Sequence, residues 1–77
     1  METRKLLRTA IWEFERLLRK SNAKNISEKT RVSIIQKIDE IENGIEYIIK
    51  NRELDKRTIK MLLPKWEIIR EKRYENN

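Results

Sequence analysis

Over the first twenty residues, apolar side chains recur at Leu7, Ile11, Phe14 and Leu18 in steps of four, three and four, with Ala10 and Leu17 widening the row. Residues three and four apart share one face of an α-helix, so the spacing predicts a helix over about Thr3 to Lys20 with one buried stripe. A polar stretch, Ser21-Asn22-Ala23-Lys24-Asn25, ends it. Asn22 or Asn25 can take the left-handed conformation of a helix stop, and Asn25 or Ser27 can cap the following helix. Asn25 with Glu28 forms a loose capping box, and this cap chemistry also accounts for the sequon-like Asn25-Ile26-Ser27.

The most regular segment follows, over about Ser27 to Asn51. Ile34, Ile38, Ile41, Ile45 and Ile48 fall at steps of four, three, four and three, with Ile35 and Ile49 beside them. This is a coiled-coil-like seam. Gly44 lies inside it, either admitting a close neighbour or sitting on a tolerant exposed face; the second account is the simpler. A third helix is predicted over about Asp55 to Tyr74, with Asp55 as N-cap and Ile59, Leu62, Trp66 and Ile69 as its seam, Leu63 adjoining. Pro64 removes one helical hydrogen bond and crowds the preceding turn, so this helix is expected to be kinked near Lys60 or split at Pro64, the kinked single helix being preferred.

With one glycine and one proline in 77 residues, little turn chemistry is left for hairpins, whereas Lys, Glu, Arg and Leu favour helix. The expected fold class is all-α: one domain over residues 1–77, frayed at both ends, including Glu75, Asn76 and Asn77. Short connections, about Ser21 to Ile26 and Arg52 to Leu54, favour antiparallel neighbours and hence an up-down-up three-helix bundle. Such a core is small for independent stability, and self-association would enlarge it.

Composition narrows the chemistry. The chain has no Cys and no His, which excludes disulfides, Cys/His zinc sets, thiol nucleophiles and Ser-His or Cys-His pairs. It also lacks a glycine-rich loop to cradle phosphates. The carboxylates Glu13, Glu15, Asp39, Glu40 and Glu42 read as solvated helix faces, Glu46 pairing with Lys50 at i, i+4. The expectation is therefore a protein that is not an enzyme and uses no cofactor, no metal and no small-molecule substrate. Charges interrupt the apolar residues of Met1 to Lys20, and no run approaches the roughly 18 apolar residues of a membrane span. A soluble, cytoplasmic protein is expected.

Charge then points to a partner. The net charge is +6, distributed as +4 over residues 1–25, zero over 26–52 and +2 over 53–77. Within the first helix, Lys5, Arg8, Trp12, Arg16 and Arg19 follow steps of three, four, four and three along a flank distinct from the apolar seam. Cations neutralise a nucleic-acid backbone and an aromatic face stacks on an unpaired base, so this flank is a candidate nucleic-acid surface. The same array suits an acidic protein, with Trp12 as anchor. A purely structural account also exists: Arg8 and Arg16 can lie over the indole, or the third helix can cover it. Glu13 and Glu15 dilute the charge that an anionic membrane surface would attract.

Lys56, Arg57 and Lys60 form a second basic cluster at the start of the third helix. A helix-turn-helix reading fits poorly, because the second helix is long, the turn lacks glycine and no Asn or Gln stands on the recognition turn. Finally, Leu54, Met61 and Ile68 recur every seven residues as a second apolar row. This row is expected either to bury within the chain or to form an oligomer interface, most simply a homodimer.

Overall fold

The computed structural model describes residues 2–75, and among these it contains three α-helices and no strand. They are α1, Thr3–Ser21; α2, Glu28–Asn51; and α3, Lys56–Glu75. All three lie where hydrophobic spacing predicts them. Ser27 caps α2, its hydroxyl accepting from the Thr30 N–H at 3.2 Å. Asp55 caps α3 in the same way, its carboxylate accepting from the Thr58 N–H at 2.8 Å. Hydrogen bonding to Thr58, by its side chain first and its backbone N–H second, holds the Asp55 carboxyl below the usual aspartate range.

No residue among those described has positive φ, so the left-handed stop expected at Asn22 or Asn25 is absent. Asn22 instead closes α1 at φ −91°, ψ 0°, its N–H donating to the Arg19 carbonyl while the Ala23 N–H donates to that of Lys20. This tight final turn satisfies the end of the helix without αL geometry. Arg31 of α2 reaches back to the Ala23 carbonyl at 3.4 Å and fastens the connection. The fraying expected at Asn76 and Asn77 lies outside the described residues, and Glu75 is helical.

All three helices contribute to one core. Leu7, Ile11 and Phe14 of α1, Ile38 and Ile45 of α2, and Trp66 of α3 are its most deeply buried members. Phe14 and Trp66 meet edge to face, with ring centroids 4.8 Å apart and planes at 79°. Such a pair contributes roughly 0.5–1.5 kcal/mol beyond the area it buries.

Two readings of α3 need correction. Ile59, expected on the seam, is 43% exposed, and Thr58 is buried in its place. The seam runs Thr58, Leu62, Trp66 and Ile69, since the Asp55 cap and the Trp66 contact together set the rotation of the helix and turn Ile59 outward. Leu54 was expected to continue the Met61–Ile68 row, but it is half-buried against the core. It precedes the cap and so stands outside α3, where a seven-residue spacing no longer keeps residues in line. Pro64 lies inside α3, exposed, on the side away from the core. An added Cβ at Gly44 would meet nothing within 4 Å, in keeping with a tolerant exposed face.

Helix α1 packs closely on both neighbours, whereas the Cα atoms of α2 and α3 stay more than 8 Å apart. Arg52, just past α2, reaches the Thr3 hydroxyl at the start of α1. No helix among the described residues is long and apolar enough to cross a membrane.

Candidate functional site

Helix α3 meets its two neighbours through different chemistry, and that difference locates the free charge. Towards α2, the gap is bridged by long polar side chains. Arg73 donates to Glu42 at 2.8 Å and to Asp39, while Arg70 donates to Glu46 at 2.6 Å. The Trp66 indole N–H donates to the same Glu46 oxygen at 3.3 Å, and the Tyr74 hydroxyl donates to Glu42 at 2.7 Å. Burial alone would weaken the Arg73 charge, but its bonds to Asp39 and Glu42 outweigh this and strengthen it. The bond to Glu42 likewise raises the Tyr74 phenol above its ordinary range.

These contacts replace an expectation from sequence. Glu46 does not pair with Lys50; it serves Arg70 and Trp66 across the interface. Asp39 and Glu42 are ligands for α3 rather than members of a merely solvated face. Periodicity shows which residues share a face but not which carboxylate an arginine on another helix will reach, so spacing could not reveal this ladder.

Towards α1, the interface is an open groove of about 420 Å³. Ile11 and Leu62 form its floor, Trp12 one wall, and Arg8, Thr9 and Lys65 its polar edge. Trp12 is 58% exposed, so α3 borders the indole without covering it. Neither Arg8 nor Arg16 lies over the ring; the cation–π contact among the described residues is Arg73 over Tyr74, at 5.4 Å. Neither Arg8 nor Lys65 forms an ion pair with a carboxylate among the described residues. Lys65 joins the site from α3, although it lies outside the Lys56, Arg57 and Lys60 cluster that the sequence marks as a candidate contact.

The other predicted residues fall into three groups. Lys5 and Arg19 are exposed on the Trp12 flank of α1. Arg16 is exposed there too, but its guanidinium forks onto Glu13 one turn away. That hydrogen bond holds the Glu13 carboxyl below its usual range and raises Arg16 above its own, so this cation arrives already partnered. Lys56 and Lys60 are exposed two residues before Thr58 and Leu62, on the outer face of α3, and are not brought beside the α1 cations. Arg57 is exposed nearer the Met61 side. Met61 and Ile68, at 56% and 57% exposure, stand four residues before and three after Lys65, on the same flank. Thus the apolar remnant of the α3 row and the basic row of α1 border one surface.

The chain matches no protein-family model, no curated protein and no solved structure.

Proposed function

We propose that this protein is a small, non-enzymatic basic binding module that engages nucleic-acid backbone through the Trp12 face of α1. The observation that carries the reading is an exposed tryptophan between two cations, Arg8 and Lys65, with no carboxylate partner for either among the described residues. Lys5 and Arg19 extend the positive row along α1, and Lys56, Arg57 and Lys60 supply a second, outlying contact. In this reading the scaffold is an up-down-up bundle with α3 kinked at Pro64. The reach of Arg52 to Thr3 and the pairing of late α3 residues with the middle of α2 support the antiparallel order.

Affinity is expected to fall steeply between about 50 and 200 mM salt, because each neutralised phosphate releases counterions. Fluorescence anisotropy of a labelled oligonucleotide measures it. Binding that is unchanged over this range would refute the mechanism.

A second reading has its own support in Met61 and Ile68, whose exposure beside cations suits an acidic protein partner of an inhibitor, immunity-type or assembly factor. The same two residues would serve a homodimer. A stoichiometric protein partner that survives nuclease treatment would favour the first of these, and a concentration-dependent mass in light scattering the second.

A further inference from the structure

The groove between α1 and α3 combines an apolar floor, one aromatic wall and two cations on separate helices. A duplex offers phosphates and base edges to a protein surface, and its base faces are already occupied by stacking. An acidic peptide carries charge on every acidic residue but an aromatic face only where its sequence happens to place one. An unpaired nucleotide brings both, with an aromatic face and flanking phosphates in one repeating unit.

We propose that the groove seats one unpaired base of a single-stranded nucleic acid, with Trp12 against its face and Arg8 and Lys65 on the flanking phosphates. The inference rests on the nucleic-acid reading above and adds to it a strand type, a base seat and a cation from α3. Ile11 and Leu62 exclude water beneath the base, and the Thr9 hydroxyl at the edge can both donate to and accept from the base edge. Sequence preference should be slight, since every base has a π face.

The test uses three ligands of equal length: a mixed-sequence single strand, the same strand with abasic sites replacing its bases, and the duplex. Each is titrated by tryptophan fluorescence and anisotropy at about 50 mM salt. Trp66 is 2% exposed and packed against Phe14, so it contributes a steady background and Trp12 carries the response. The intact strand is expected to bind tightest and to quench, and the abasic strand to lose about 10-fold. Trp12→Ala should lose a similar factor on the intact strand and little further on the abasic one, the coupling expected of a direct contact. Trp12→Phe, with circular dichroism confirming the fold, should retain most of the affinity.

Equal binding of intact and abasic strands would overturn the base seat while leaving backbone binding in place. Absence of binding to every nucleic acid would overturn both. Quenching by poly-glutamate but by no oligonucleotide would assign the groove to an acidic protein and overturn the proposal as well.

Discussion

The two sides of α3 use arginine and lysine for opposite ends. On the α2 side, Arg70 and Arg73 meet Asp39, Glu42 and Glu46, and their charges hold the helices together across a wide gap. On the α1 side, buried apolar side chains do the holding, and Arg8 and Lys65 border the groove without a carboxylate partner among the described residues. Net charge alone hides this division. The seven basic residues of positions 53–77 are not equivalent: Arg70 and Arg73 act within the fold, and Lys65 faces the groove.

The sharpest way to break the comparison is to exchange the roles of the two tryptophans. Trp66→Ala should destabilise the fold by about 3–5 kcal/mol, because it empties the site against Phe14 and leaves Glu46 without the indole donor. Trp12→Ala should change stability by no more than about 0.5 kcal/mol, as for an exposed position, while weakening ligand binding. Urea denaturation of both variants checks the pair. Equal losses would mean that Trp12 belongs to the core.

A smaller effect tests the ladder. Arg73→Ala removes the donor to two carboxylates, one of them largely buried, and should cost about 2 kcal/mol. Arg70→Ala, at a more exposed pair, should cost less than about 1 kcal/mol. Hydrogen exchange in the last turns of α3 should rise in the first variant more than in the second. Gly44→Ala, at the edge of the open groove between α1 and α2, is expected to stabilise by about 0.4–1 kcal/mol, since the added methyl meets nothing within 4 Å and the unfolded chain loses freedom. A lower melting temperature in that variant would show that the glycine is required.

The smallest effects are set by pH, and their signs differ. The Asp55 carboxyl is depressed by hydrogen bonding to the side chain and then the backbone of Thr58, so its contribution is present above the ordinary aspartate range and is lost as pH falls through the folded value. The Tyr74 phenol is raised by its bond to Glu42, so its contribution is complete below the ordinary tyrosine range and is lost as pH rises through the folded value. Asp55→Asn should flatten the acid limb of the melting profile and Tyr74→Phe the alkaline limb. A variant that leaves its limb unchanged would remove that contact from the account.

Much of the fold was legible because helices declare themselves through a 3.6-residue period and through caps. Ser27 and Asp55 are visible as N-caps, and Leu7, Ile11, Phe14, Ile38, Ile45, Leu62 and Trp66 as core, before any coordinates. Two apolar residues were misplaced for related reasons. The rotation that the Asp55 cap and the Trp66 contact set buries a threonine, Thr58, which hydropathy passes over, and Leu54 obeys a heptad spacing outside the helix that would give it meaning. The exposed Trp12 flank could be read from one helix. Its completion by Lys65, and the capture of Arg70 and Arg73 by α2, depend on how helices distant in sequence face one another, which no single-helix period contains.

The central claim is that placement, not net charge, decides which cations bind. It is tested most directly by two charge-matched double variants, each lowering the net charge by two. Arg8→Gln with Lys65→Gln removes the groove pair; Lys50→Gln with Arg70→Gln removes one exposed α2 cation and one ladder cation. Binding of a labelled single strand would be followed from about 50 to 200 mM salt. The groove variant is predicted to bind more weakly and to lose about 1.4 from the slope of log affinity against log salt, the contribution of two phosphate contacts. The ladder variant should bind as the parent protein does and melt at a lower temperature. Equal losses of affinity in the two variants would contradict the account.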